Sequence, residues 1–106
     1  MNDRVRTLLG ELKTGLETIY GERLKGVYLY GSYARGDQDV ESDVDVLVIL
    51  DHCKHYGAEV DRTGHLISEL SLKYGVSISR AFVSMPDWSG GENPFLVNAK
   101  EEAILA

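Results

Sequence analysis

Residues 31–50 of this chain read GSYARGDQDVESDVDVLVIL, and this stretch decides the fold. Its last seven residues, Val44–Leu50, are almost continuously apolar after Asp45, a pattern typical of a strand that is buried on both faces. A second strand is predicted just before the stretch, over Lys25–Tyr30, and Gly31-Ser32 breaks it abruptly. The sequence therefore predicts two strands of one sheet, joined by a helical turn and a polar loop.

Helical patterns surround these two strands. Apolar residues recur at three- and four-residue spacing after Asp3, which is predicted to cap a first helix that ends at Gly21. A second helix is predicted over Lys54–Tyr74, ended by Gly75. Its buried face is predicted to consist of Val60, Leu66, Ile67, Leu70 and Leu72. The remaining predictions are a strand at Val76–Val83, a loop at Met85–Gly91, and a terminal helix that starts at Asn93-Pro94 and buries Phe95, Leu96, Ala99, Ala103 and Ile104.

The order α-β-β-α-β-α predicts a small α+β (α/β-like) domain with a three- to four-stranded mixed sheet and helices packed on it. At 106 residues the chain has room for one domain, expected to cover residues 1–106. With 43% hydrophobic and 26% charged residues, its composition is that of a globular protein and not of a disordered tail.

Charge and composition exclude several classes of function. The formal net charge of −6 disfavours general nucleic-acid binding, including binding of single-stranded RNA, because such proteins need clustered lysine and arginine. No apolar stretch approaches the roughly 20 residues that span a bilayer, and no signal peptide is evident, so a cytoplasmic location is expected. Cys53 is the only cysteine, and its spacing from His52 and His55 matches no zinc motif.

Two short motifs within residues 31–50 carry the chemistry. Asp43 and Asp45 are two positions apart on a strand, so both carboxylates project from one face, with Cα atoms about 7 Å apart. Such a pair suits Mg²⁺ (or Mn²⁺), which takes oxygen ligands and shares its other positions with water or phosphate. Gly31-Ser32 lets the backbone approach a phosphate, and N–H groups and the serine hydroxyl can donate to its oxygens.

These motifs resemble the signature of the minimal nucleotidyltransferase (MNT) family, of the polymerase-beta-like superfamily. That signature is Gly-Ser, ten residues, then Asp-x-Asp, and here Gly31-Ser32, the ten residues Tyr33–Ser42 and Asp43-Val44-Asp45 match it without a gap. The resemblance implies a small nucleotidyltransferase fold and transfer of a nucleoside monophosphate from ATP or another NTP to an acceptor hydroxyl. It also implies catalytic, metal-binding roles for Asp43 and Asp45, and an antitoxin role with a HEPN-type toxin as partner.

One departure from the family is visible in the sequence. The superfamily carries a third carboxylate on a later strand as general base, but the corresponding strand, Val76–Val83, contains no Asp or Glu. Asp51, Glu69 or Asp87 substitutes for it, the acceptor assists, or catalysis is weak or lost. The alternative function is therefore a degenerate nucleotide-binding module that regulates a partner by protein binding alone.

Other residues leave two interpretations open. Arg35 and Asp37 either contact the triphosphate or pair with each other to fix the loop. Arg80 either reaches a phosphate or is an edge-strand charge, with the second interpretation favoured. Trp88 either anchors the terminal helix or contacts a partner, and whether the chain forms a homo-oligomer is left open as well.

Overall fold

A computed structural model describes residues 3–39, 41–91 and 93–106 of the chain. Its elements are, in chain order, α1 (Asp3–Tyr20), a 3₁₀ turn (Gly21–Arg23), β1 (Leu24–Tyr30), α2 (Gly31–Arg35), β2 (Val44–Leu50), α3 (Tyr56–Tyr74), β3 (Ile78–Ser84), α4 (Met85–Gly90), α5 (Pro94–Glu102) and β4 (Ile104–Leu105). None of the described helices combines the length and the apolar composition of a membrane-spanning segment.

The four strands form one mixed sheet in the order β3-β2-β1-β4. β1 runs antiparallel to both β2 and β4, whereas β2 and β3 are parallel. The register places Tyr30 on β1 and Ser79 on β3 on either side of Asp45. This arrangement confirms the predicted α+β class with its mixed sheet.

Helices cover both faces of the sheet. α1 and α3 pack on one face, over alternate residues of the two central strands: Val27, Leu29, Val44, Val46, Val48 and Leu50. α4 and α5 cover the other face, where Trp88, Leu96 and Ala99 pack against Leu47 and Ile49. Because side chains alternate along a strand, Asp45 belongs to the same face as Leu47, on the side of α4 and α5.

The C-terminal third differs from the prediction in two of its elements and in one predicted core residue, since Phe95 is 50% exposed. The predicted loop Met85–Gly91 is wrong, since α4 occupies most of it. The hydroxyl of Ser84 caps this helix by accepting from the N–H of Asp87, and Gly91 ends it with a φ of 69°. The terminal helix is also shorter than predicted: it ends at Glu102, and Ile104 instead enters β4, which pairs with β1. A two-residue strand has no sequence period of its own and forms only where a neighbouring strand edge is available.

One predicted core residue of α3 is wrong. Leu72 is 85% exposed, whereas Ile67 and Leu70 are buried. Leu72 lies two positions beyond Leu70, a rotation of about 200° on a helix, which moves it to the opposite side. The buried residues of α3 also include two polar ones, Glu59 and Thr63.

The N-terminal boundary also shifts slightly. Asp3 is the first residue of α1 and not a residue that precedes it as a cap. The predicted apolar stripe is otherwise confirmed: Val5, Leu8, Leu9, Leu12 and Leu16 are buried, and Ile19 is packed against the same core.

Candidate active site

Gly31 and Asp45 meet at one end of the central strands. β1 ends at Tyr30, directly opposite Asp45, and the chain turns there with Gly31 at a φ of 73°. A Cβ atom at residue 31 would lie 2.3 Å from Oδ2 of Asp45, which is far inside van der Waals contact. Only glycine therefore allows the backbone at the start of α2 to lie against this carboxylate.

Ser32 follows in the first turn of α2. Its carbonyl accepts the N–H groups of Gly36 and Asp37, the latter at 3.1 Å, and this closes the turn after α2. Gly36 makes the turn possible with a φ of 80°. The hydroxyl of Ser32 has no partner in the described part of the chain, so it is available to a bound group beside Gly31.

Asp43 and Asp45 form a carboxylate pair whose charges act on each other. Neither accepts a hydrogen bond or forms an ion pair within the described residues. Burial raises the pKa of the half-buried Asp45, the charge of Asp43 raises it further, and the positive charge of Arg35 opposes part of the rise. Two adjacent carboxylates repel each other, and a divalent cation bound between their oxygens would relieve this repulsion. The residues present therefore fit Mg²⁺, which takes oxygen ligands.

The third carboxylate is absent from this site. The β3 residue beside Asp45 is Ser79, which is exposed. No group of three His, Cys, Asp or Glu side chains suitable for a metal ion occurs among residues 3–39, 41–91 and 93–106.

The three acids considered as substitutes all lie away from Asp45, which argues against the first of the three alternatives, substitution by another acid of the chain. Asp51 follows the opposite end of β2, about 20 Å along the strand from Asp45, and its carboxylate is paired with Arg23 at 3.2 Å. Asp87 follows that same distant end of the sheet, at the start of α4. Glu69 is on α3, which covers the other sheet face, and its solvent-exposed carboxylate lies 3.5 Å from His65.

Arg35 and Asp37 are paired, as one of the two sequence interpretations had it. Nε of Arg35 donates to Oδ2 of Asp37 at 3.1 Å. Nη1 of the same guanidinium donates to Oε2 of Glu102 on α5, also at 3.1 Å. Sequence reasoning missed Glu102, and no signal pointed to it, because it is 67 residues from Arg35 and ends an ordinary amphipathic helix.

Arg80 and Trp88 have structural contacts away from this site. The Arg80 guanidinium donates to Thr63 Oγ1 at 2.8 Å and to the Val60 carbonyl at 2.7 Å, which fastens the edge strand β3 to α3. Trp88 is buried, with its ring centroid 5.0 Å from that of Tyr28. The interpretation of Trp88 as an anchor is therefore supported, since it joins α4 and α5 to the aromatic face of β1.

The chain is similar to known proteins over most of its length. The sequence profile described as the nucleotidyltransferase domain matches residues 9–93. A protein of Methanocaldococcus jannaschii named "Putative protein adenylyltransferase MJ0141" is 42% identical over 72 residues, which are 68% of this chain and 72% of the relative. A second protein of that organism, "Putative protein adenylyltransferase MJ0604", is 41% identical over 69 residues, 65% of this chain but only 63% of the relative.

A solved structure supports the fold independently. A crystal structure described as a toxin–antitoxin with AMP-PNP matches with a TM-score of 0.61 at 20% sequence identity, covering 91% of this chain and 69% of the other. At this level of identity, the match concerns the fold alone.

Proposed function

Because this chain belongs to the nucleotidyltransferase domain family, as the minimal-nucleotidyltransferase signature predicted, we propose that it is a protein adenylyltransferase dependent on Mg²⁺ or Mn²⁺. It transfers the nucleoside monophosphate of ATP to a hydroxyl group of an acceptor protein. The observation that carries this proposal is the contact between Gly31 and Asp45, since it joins a backbone suited to phosphate and a carboxylate suited to metal in one place.

Each site residue has one role in this reaction. Gly31 lets the triphosphate approach the backbone, and Ser32 donates its N–H and hydroxyl to phosphate oxygens. Arg35 adds charged donors, and Asp37 holds Arg35 and the loop after α2. Asp43 and Asp45 would hold the cation, which would supply positive charge to the transferred phosphate and the leaving pyrophosphate.

The bonds that form and break follow from this placement. The acceptor oxygen bonds to the α-phosphorus, and the bond from that phosphorus to the bridging oxygen of pyrophosphate breaks. The acceptor proton must leave, but β3 offers Ser79 where a carboxylate would take it. The proton therefore passes to water or to a base of the acceptor itself, and a slow transferase is expected.

The same absence supports a second candidate function. A chain that binds ATP through Gly31, Ser32, Asp43 and Asp45 but lacks a general base could regulate its partner by binding alone. This degenerate module differs from the enzyme in one respect only: it transfers nothing.

The partner is proposed from similarity. The relatives are named for protein adenylylation, and the fold is shared with a toxin–antitoxin structure that contains AMP-PNP. We infer that this chain acts as the antitoxin of a separate toxin, of the HEPN type that the sequence resemblance implies.

The experiment is transfer of label from α-phosphate-labelled ATP with Mg²⁺ to the protein encoded beside this chain's gene. We expect label on that protein, lost in the double variant Asp43→Asn, Asp45→Asn. Asp61→Asn is the matched control, because Asp61 is exposed on α3, on the other sheet face. Mg²⁺-dependent ATP binding without any transfer, while the double variant still neutralises the toxin in cells, would establish the degenerate module instead.

A further inference from the structure

The Arg35 guanidinium donates hydrogen bonds to two carboxylates from different parts of the chain. Asp37, two residues further on, accepts from Nε, and Glu102, at the end of α5, accepts from Nη1. α2 also packs against β2, the strand that carries Asp45, as well as against α5. Arg35, the last residue of α2, is thus attached to α5.

We propose that Glu102 is a positioning residue for the nucleotide: it fixes the Arg35 guanidinium at the end of α2, the short helix that begins at Gly31, so that the free N–H groups can meet phosphate oxygens. This inference rests on the proposed function, since it requires a triphosphate at that place. It assigns a role at the site to α5, a helix that contributes no residue to the Gly-Ser or Asp-x-Asp motifs.

The geometry of arginine supports this role. A guanidinium has five N–H donors in a rigid plane, and two are engaged here, which leaves three for a ligand. Because hydrogen bonds at Nε and Nη1 fix the guanidinium plane, they also fix the directions of the three remaining N–H groups. A long side chain that is ordered before the ligand arrives loses less conformational entropy on binding.

The local charge argues that orientation, and not attraction, is what Glu102 contributes. One cation lies between two carboxylates, so the three side chains together carry a net negative charge and do not form an attractive patch for phosphate. If charge alone mattered, removal of Glu102 would strengthen nucleotide binding. If orientation matters, its removal weakens binding, and an uncharged residue that still accepts the hydrogen bond restores it.

The test is a double-mutant cycle measured as the Kd of ATP with Mg²⁺ by titration calorimetry. Because the pair is partly exposed, we expect Glu102→Ala to weaken binding about three- to fivefold and Glu102→Gln by less than about twofold. In an Arg35→Ala background, Glu102→Ala should change nothing further. Glu101→Ala is the control, because Glu101 is the exposed neighbour on the same helix.

Turnover gives a second readout. The KM for ATP should rise with Glu102→Ala while kcat is unchanged, and the thermal midpoint should match that of Glu101→Ala. Tighter binding by both Glu102 variants, or an equal loss with and without Arg35, would overturn the positioning role. The double-mutant cycle measures ATP binding and needs no transfer step. If Arg35 and Glu102 are coupled in ATP binding but no acceptor is labelled, the proposed transferase activity is contradicted and the positioning role of Glu102 is retained.

Discussion

The backbone of Gly31 lies against the carboxylate of Asp45, so closely that no side chain fits between them. The contact follows from the antiparallel register of β1 and β2, which brings the end of one strand to the start of the other. It joins the Gly-Ser and Asp-x-Asp motifs, which are ten residues apart in sequence, into a single site.

Gly31→Ala should disable this site at a modest cost in stability. The left-handed backbone conformation costs a non-glycine residue about 1–2 kcal/mol, and the new methyl group must also displace the Asp45 carboxylate. We expect ATP binding to weaken by at least about tenfold, which is 1.4 kcal/mol.

The matched control for this variant is Gly21→Ala. Gly21 has a φ of 56°, but a Cβ there meets nothing within 4 Å, and it lies at the far end of α1. Gly21→Ala should lower the free energy of unfolding through backbone strain but leave the affinity for ATP unchanged. Equal ATP affinity for the two variants would contradict the importance of the Gly31–Asp45 contact.

The site was predictable as far as it is local. β2 occupies the predicted range Val44–Leu50, because a short apolar run rich in β-branched residues favours a strand buried on both faces. The approach of Gly31 to Asp45 follows once the two strands are neighbours. Glu102 was not predictable, because its partner Arg35 is distant in sequence and the pairing exists only after α5 packs beside α2.

The elements that were missed depend on tertiary context in the same way. The six residues of α4 contain a proline and two small residues, a composition as typical of a loop, and the helix forms because Ser84 caps it and Trp88 is buried beneath it. β4 is two residues long and owes its existence to the free edge of β1. In α3, buried polar residues broke the apolar pattern, which made the phase of the helix hard to assign.

The exposed position of Leu72 can be tested against its neighbour Leu70. Leu70→Ala should destabilise the protein by about 3 kcal/mol, because it removes buried methyl groups and leaves a cavity. Leu72→Ala should change the free energy of unfolding by less than about 0.5 kcal/mol. Urea unfolding of both variants checks the result, and equal losses would contradict the observed phase of α3.

The buried Glu59 should make stability depend on pH. Its carboxylate accepts from the Tyr20 hydroxyl at 2.8 Å and from Arg62 Nε at 3.0 Å, and lies 3.6 Å from Arg23 Nη2. Burial alone would raise its pKa, but these hydrogen bonds and positive charges outweigh burial and lower the pKa below its ordinary value of 4.5.

A lowered pKa in the folded state stabilises the fold above the unfolded pKa, and this stabilisation is lost as the pH falls below it. We therefore expect Glu59→Gln to cost about 2 kcal/mol near neutral pH and less near pH 3.5, which lies below the ordinary pKa of 4.5. Urea unfolding at the two pH values measures the difference. Asp61→Asn on the same helix is the control, and a loss for Glu59→Gln that stays constant with pH would contradict the ionised role of Glu59.

The missing third carboxylate can be supplied at Ser79. This residue is paired with Asp45 across two parallel strands, is exposed, and shares its sheet face, so Ser79→Asp would place a third acid beside the pair. If the lack of a base limits transfer, kcat should rise by at least about tenfold, since a positioned base contributes a factor of 100 or more.

Repulsion among three carboxylates should also lower the thermal midpoint of Ser79→Asp without metal, and Mg²⁺ should restore it. Ser84→Asp is the control, because it adds the same charge at the far end of β3 and preserves a helix cap. A Ser79→Asp variant that gains Mg²⁺ stabilisation but transfers no faster would show that proton removal is not the limiting step.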